Sequence, residues 1–498
     1  MAKKNENAFS YGSSAIPRAE NKYSVIRFGW GGLNRTNTID SGQITNCEGV
    51  VIDPPYVSPA LIPHNFASIA GAISVFGFDD KLFVIYRSSG KIKIDCILKD
   101  GTRYTGTMGD ALGTDADFAP RTMVQFNVAS NVENIVEATY VRKLLIFPDA
   151  YSIDLDISSN FTPAYLGNTY PNLKYATVYA SRVFGVDENL VYASSYNDYA
   201  DWDLDTAEEY NEANAWVSMS QSNVKADGEF SAIATYDNHV VLFKKDFMQL
   251  VYNNKNPFRI VDVGAWGCDN PYAVAESDGL LYFASADAVY LYTGGTPKEI
   301  SKNLDIKNYH GARLGAWRGT LYLYIGNCIY TYKDGVWSAQ GAPTSNVKQF
   351  ASVDFGITAL CEDNSVVFLD WIRDGSGDIP DTWDASYGLA GDNPWWFETD
   401  FMSLNKLHVR RIKKISILCD VDEGAEVKFY LLKDGEKFDR TTATINGKTN
   451  GSGRVILRVL TNGSAGYMHR IRLEGKGKVK IYAAELQVSW GGDLYVEG

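Results

Sequence analysis

One unit recurs three times between Ser231 and Gln340, and it restricts what this chain can fold into. Tyr236 to Lys244 runs into Phe247 to Tyr252, Ser277 to Ala284 into Ala288 to Tyr292, and Trp317 to Ile325 into Asn327 to Tyr332. Each copy opens on a polar turn, passes through aromatic and β-branched residues, turns, and runs back. The turn residues Asn238, Gly279 and Gly319 are spaced 279 − 238 = 41 and 319 − 279 = 40 positions apart. A period of roughly 40 residues with strand chemistry in every unit is that of propeller blades. A lone hairpin sheet cannot bury both its faces, so the copies must stack around an axis.

Four more hairpins share this chemistry. Gly77 to Tyr86 precedes Lys91 to Leu98, and Val141 to Phe147 precedes Tyr151 to Leu155. Tyr179 to Val186 precedes Asn189 to Ser194, and Phe355 to Leu360 precedes Ser365 to Leu369. Lys91 to Leu98 alternates polar and apolar, as a half-buried strand does. Seven hairpins, two with irregular spacing that marks insertions, imply an all-β chain holding a six- or seven-bladed β-propeller. Insertions in repeat proteins collect in loops, often on the working face. A ring of sheets must close or leave an open edge, and Tyr23 to Phe28 is the expected closing strand. Pro54, Pro55, Pro59 and Pro63 lie between that strand and the first hairpin and predict an extended strap.

Beyond Asp392 the pattern changes to short alternating strands: Arg411 to Cys419, Glu426 to Leu432, Arg454 to Leu460, His469 to Glu474 and Val479 to Val488. Turns are expected at Lys433 to Glu436 and at Asn462-Gly463. Such spacing reads as a small antiparallel β-sandwich. The expected organisation is a flexible N-terminal arm over 1–20, a propeller over 21–395 and a sandwich over 396–498.

The formal net charge of −13 is unevenly spread. Residues 397–498 carry 17 Lys+Arg against 13 Asp+Glu, and the rest carry 30 against 47. An acidic body is a poor DNA binder, because phosphate contacts need Lys and Arg. The six cysteines, Cys47, Cys96, Cys268, Cys328, Cys361 and Cys419, form no CxxC pair and several lie in apolar runs. They read as buried thiols in a reducing compartment. No apolar run approaches ~18 residues, so no membrane insertion is expected, and the first residues lack the apolar stretch of a signal peptide.

Few constellations suggest chemistry. The histidines His64, His239, His310, His408 and His469 make no HxH or HExxH spacing. Asp198, Asp201, Asp203 and Asp205, with Glu208, Glu209 and Glu212, are dense enough for a glycosidase acid and nucleophile. The competing reading, a solvated insertion with a short helix from Asp205 to Trp216, is preferred because no second carboxylate site is marked. Asp374, Ser376 and Asp378, near Thr382-Trp383, resemble the Asp-box of sialidase-type propellers and also suit Ca²⁺. The box occurs once and has Pro380 where the box has Gly, so a capped turn is the simpler reading. Trp202, Trp216, Trp395 and Trp396 are candidates for stacking on sugars. No catalytic, cofactor-binding or metal-ligating residue is assigned, no cofactor is expected, and no enzyme is implied.

Two stretches carry a family resemblance. Phe28 to Asn34 followed by Ile44 to Gly49 and the proline-rich segment resembles the N-terminus of packaged-DNA stabilisation proteins and tail nozzles of short-tailed phages. Tyr192 to Trp202 and the units from Ala232 to Ser301 are similar to the same family. Ile62-Pro63-His64 stands where that family's proline segment has an arginine. The resemblance implies a virion tail protein, assembled in the host cytoplasm, that joins copies of itself in a ring, expected as a hexamer. The ring would form a hub or nozzle of the DNA exit channel below the portal, meeting portal, adaptor and other tail proteins. DNA would pass without specific binding. Closed rings need one surface matched to a different one on the neighbour, and the arm and the loops at 100–130 and 197–225 are the expected contacts. A carbohydrate- or receptor-binding tail propeller is the alternative.

Overall fold

The computed structural model describes residues 23–36, 43–110, 119–129, 140–167, 170–204, 211–218, 228–372, 394–399, 410–433, 443–446, 454–466 and 469–490. Among these, regular structure is β-strand apart from two single-turn 3₁₀ helices. The N-terminal arm, the Asp374 to Trp383 segment and His408 lie outside the described residues.

Seven four-stranded antiparallel sheets follow one another along the chain. The first spans Ala72–Phe78, Lys81–Ser88, Lys91–Leu98 and Arg103–Asp110, and the seventh uses Val347–Val353, Gly356–Cys361 and Ser365–Trp371. All seven hairpins expected from the sequence form, each as the second and third strands of its sheet. Buried clusters fill the wedges between neighbouring sheets. Phe83 and Ile94 of the first sheet pack with Leu144 and Ile153 of the second, and Phe184 and Val191 of the third with Val240 and Leu242 of the fourth. Ala72 and Val84 of the first pack with Val366 and Phe368 of the last, so the ring closes as a β-propeller.

The closing strand is not the expected one. His64–Ser68 supplies the fourth strand of the last sheet, pairing Ser365 with Ser68 and Phe368 with His64. Tyr23–Gly29 instead pairs with Val479–Trp490 at the far end of the chain, Tyr23 opposite Ser489. The ladder explains the exchange. His64–Ser68 leads directly into the first sheet, so one short segment joins last sheet to first.

The sandwich draws on both ends of the sequence. One sheet holds Val50–Asp53, Tyr56–Pro59, Val479–Trp490, Arg410–Val421 and Arg454–Gly466, with Tyr23–Gly29 also on Val479–Trp490. The other holds Ile44–Glu48, Trp395–Thr399, His469–Lys476, Glu426–Lys433 and Ala443–Asn446. Strands from residues 23–59 therefore belong with the C-terminal sheets rather than with the propeller. The proline segment is no strap. Pro54 and Pro55 form the turn of a hairpin that pairs Val50 with Pro59, and proline is tolerated at turns and strand ends. Asn462-Gly463 does not end a strand either, for the pairing jumps from Ile412–Ser464 to Lys414–Leu460 and leaves 461–463 as a bulge.

One continuous cluster joins the two bodies. It runs from Ile415, Phe429 and Leu473 in the sandwich, through Trp30 and Leu33, to Phe283 and Leu323 in the propeller.

Candidate functional site

The segment Phe28 to Asn34 is the seam between sandwich and propeller. Trp30 is 3% exposed and meets Phe397 edge-on at 4.9 Å. Gly32 passes so close to the outer strand of the sixth sheet, Val336–Gly341, that a Cβ would lie 2.9 Å from Val336 Cγ1 and 3.3 Å from Trp337 N. Leu33 N then donates to Trp337 O at 2.8 Å, and Arg35 N to Asn303 O at 2.8 Å. The Arg35 guanidinium donates to Tyr330 OH at 2.9 Å and to Asn46 Oδ1 at 3.1 Å, so one side chain ties both bodies together. Gly32 is there for close approach, and the outer strand of a propeller sheet is capped where it would otherwise be an open edge.

The propeller axis is plugged. The 3₁₀ turn Pro271–Ala273 projects Tyr272 inward, where its hydroxyl meets Ser74 Oγ at 2.6 Å and accepts from Arg121 N at 2.9 Å. Burial pushes the Tyr272 phenol above its ordinary pKa. Arg121, 2% exposed, pairs with Asp149 at 2.8 Å, and Gln349 Oε1 accepts from Val75 N at 3.0 Å. About 160 Å³ of open space remains among these groups, Phe76 and Phe350. That is room for a few waters.

The acidic stretch serves turns. Asp198 Oδ1 accepts from Ala200 N at 2.8 Å and Asp201 Oδ1 from Asp203 N at 3.0 Å, the usual way Asp stabilises a tight turn. Glu212 pairs with Lys255 at 2.6 Å. Beneath the loop, Arg182 is 0% exposed and donates to the carbonyls of Ser194 at 2.6 Å, Asn214 at 2.8 Å and Glu212 at 2.7 Å. Asp205, Glu208 and Glu209 lie outside the described residues. Where a short helix was expected up to Trp216, the described part is a turn leading to the strand Trp216–Val217, which pairs with Tyr192 and Ala193. Edge pairing on an existing sheet outweighs helix propensity here.

The tryptophans proposed as sugar platforms are engaged in packing. Trp202 abuts Tyr170 at 5.0 Å and Trp216 abuts Phe258 at 5.3 Å. Trp395 is 2% exposed, and Arg472 covers Trp396 at 4.2 Å. The four described histidines are dispersed: His64 on the closing strand, His239 in the fourth sheet, His310 beside Asp269, and His469 in the sandwich. Among the described residues no group of three His, Cys, Asp or Glu is placed to hold a metal.

Sequence reasoning missed a cleft of about 1070 Å³ between the sandwich and the sixth and seventh sheets. Its walls come from the Val50–Asp53/Tyr56–Pro59 hairpin, the face of the sixth sheet, the end of Ser365–Trp371, sandwich turns at 422–424 and 477–478, and the start of Val479–Trp490. Lys333 Nζ lies 3.4 Å from Asp53 and Lys478 Nζ 3.6 Å from Asp422. Tyr322 OH donates to Asp370 at 3.2 Å, and Thr331 and Ser338 share a hydrogen bond of 2.6 Å. Segments more than 400 positions apart build this cleft, so no local motif could announce it. The one local hint is Trp317-Arg318 at a hairpin tip, where Arg318 lies 5.2 Å over the indole.

No protein-family model and no curated protein matches this chain. Solved structures do. BamB from Moraxella catarrhalis is similar at 13% identity over 65% of this chain and 98% of that one, with a TM-score of 0.37. The WD40 domain of Toxoplasma gondii coronin is similar at 9% identity over 67% and 92%, with a TM-score of 0.39. Both are propellers, and the likeness is one of fold. Among the described residues no helix is long and apolar enough to cross a membrane.

Proposed function

We propose that this chain is a structural component of a phage virion tail, a protomer of a hub or nozzle ring around the DNA exit channel below the portal, where it helps retain packaged DNA. The observation that carries the reading is the seam. The Gly-Trp-Gly-Gly-Leu segment that bears the family resemblance is the part that fuses propeller and sandwich into one body through Trp30, Leu33 and Arg35. Two bodies packed into one unit suit the matched surfaces that a closed ring requires. The narrow propeller centre, with about 160 Å³ of open space, supports a path for DNA through a lumen enclosed by several protomers and not through one propeller. Partners are further copies, a hexamer being expected, together with portal, adaptor and other tail proteins.

Negative-stain microscopy and native mass spectrometry of the purified chain, alone and mixed with portal, test this. Ring particles with rotational symmetry are the expected result. A strictly monomeric chain in both preparations refutes it.

A further inference from the structure

We propose that the cleft between the sandwich and the sixth and seventh sheets is a binding site for a neutral oligosaccharide, with Trp317 as its stacking surface. The cleft is permanent. The buried cluster through Trp30, Leu33, Phe397 and Trp337 locks the two bodies together, so the opening beside it is not a hinge gap that closes when empty. At about 1070 Å³ it has the size and the interdomain position typical of ligand sites.

The lining selects the ligand. Four carboxylates, Asp53, Asp370, Asp422 and Glu423, face four cations, Arg318, Lys333, Lys478 and Lys480. The charges balance, and Lys333–Asp53 and Lys478–Asp422 are already paired. Such a site offers no surplus cation to a phosphate or sulfate and no surplus anion to an amine. What remains is largely apolar, including Val51, Leu61 and Val336, with the partly exposed Ser58, Thr320 and Gln340 beside the ring of Trp317, while Thr331 and Ser338 are buried and bonded to each other. A pyranose presents an apolar C–H face to an aromatic ring and a rim of hydroxyls to polar side chains, so it suits both features at once. Trp317 is half-buried, packed on one side against the core between the sixth and seventh sheets, which holds its indole at the cleft wall. A sugar would meet this ring in competition with Arg318, whose side chain is exposed and able to swing away. The sequence-named tryptophans do not line this cleft.

The site lies within one protomer, so its test is separate from ring assembly. Saturation-transfer NMR and tryptophan-fluorescence titration of the full-length chain are run with maltotriose, cellotriose and chitotriose. A sulfated tetrasaccharide and an unstructured peptide serve as charged and protein-like controls. At least one neutral trisaccharide is expected to bind. Trp317→Ala should weaken it about tenfold, as loss of an aromatic contact worth on the order of 1.4 kcal/mol does. Gln340→Leu, which keeps side-chain bulk, should weaken it by a smaller factor, and it decides the matter if Trp317→Ala fails to fold by circular dichroism. Absence of binding by all three sugars overturns the proposal. So does binding that neither variant alters, or tighter binding of the sulfated sugar or the peptide.

Discussion

Replacing Gly77 with alanine should open the propeller at the seam where its ends meet. Gly77 lies on the inner strand of the first sheet, and an added Cβ would sit 1.9 Å from Ser352 O and 2.6 Å from Ser352 C on the inner strand of the last. A carbon normally approaches a carbonyl oxygen no closer than about 3.3 Å. The two strands would have to part by about 1.4 Å, the difference between those two distances. The obstacle is backbone on both sides, so no rotamer change relieves it. Overpacking of this kind typically costs about 1–3 kcal/mol, and the lack of any side-chain escape puts this case at the upper end or beyond. Gly77 does not have a positive φ, so alanine carries no conformational penalty that would confuse the reading. Differential scanning calorimetry should show Tm falling by roughly 3 °C or more, since 498 residues imply an unfolding entropy of about 1 kcal/mol/K. Gly295→Ala, where nothing lies within 4 Å and φ is not positive, is the control and should leave Tm unchanged. Gly315→Ala, whose Cβ would meet Phe350 Cβ at 2.4 Å between the sixth and seventh sheets, tests an ordinary wedge. If Gly315→Ala destabilises while Gly77→Ala behaves like the control, first and last sheets do not abut and the closure argued from His64–Ser68 is wrong.

Three further outcomes follow from buried polar groups. Burial lowers the pKa of His64 and of His239, whose ring nitrogens lie 2.9 Å from Tyr292 OH and Asn238 Oδ1. With folded values below the unfolded ~6.5, the unfolded chain binds more protons, so the histidines' contribution to stability should be constant above about pH 7 and fall as pH drops through 6.5; the slope of Tm against pH below 7 should be shallower in His239→Gln. Arg182→Met should strand three carbonyls that the guanidinium now serves, costing about 3–5 kcal/mol and freeing the 194–214 loop to proteolysis; a melt within 1 kcal/mol of wild type, on that same scale, would refute the clamp. The Cys47, Cys96 and Cys268 thiols are each pushed up to about 12 by burial, so native protein should react slowly with a thiol-specific disulfide reagent and rapidly once unfolded.

The middle of every sheet was legible because hairpins write themselves locally. Polar turn, aromatic and β-branched run, turn and return run are contiguous in each repeat, as from His239 to Tyr252. The outer strands were less so, since some are as short as Ala164–Tyr165 or Lys298–Glu299 and carry no periodicity. Tyr23–Gly29 reads as a strand, but nothing within it says whether its partner is the last sheet or Val479–Trp490. Candidate chemistry was less legible still. Asp198 and Asp201 are conspicuous in sequence because turns need them, whereas the cleft residues Asp53, Trp317, Asp370 and Lys480 are conspicuous only once folded.

The topology imposes an order on how this fold can complete. The first six sheets are each made from contiguous chain, so their ladders close short loops and cost little entropy to form. The seventh sheet needs residues 64–68 to meet 365–368, and the sandwich needs 23–29 to meet 483–489. Closing loops that long adds only a logarithmic entropic cost, but neither closure can occur before the late strands exist. The residues that make both closures, 23–68, leave the first sheet's hairpins untouched, so they can wait while the sheets assemble. When they engage, one continuous stretch ties sheet one to sheet seven and the propeller to the sandwich. A single chain end acting at both joints couples them: loosening the Trp30–Arg35 seam exposes the outer edge of the sixth sheet, and it also frees the tether that delivers the closing strand to the seventh.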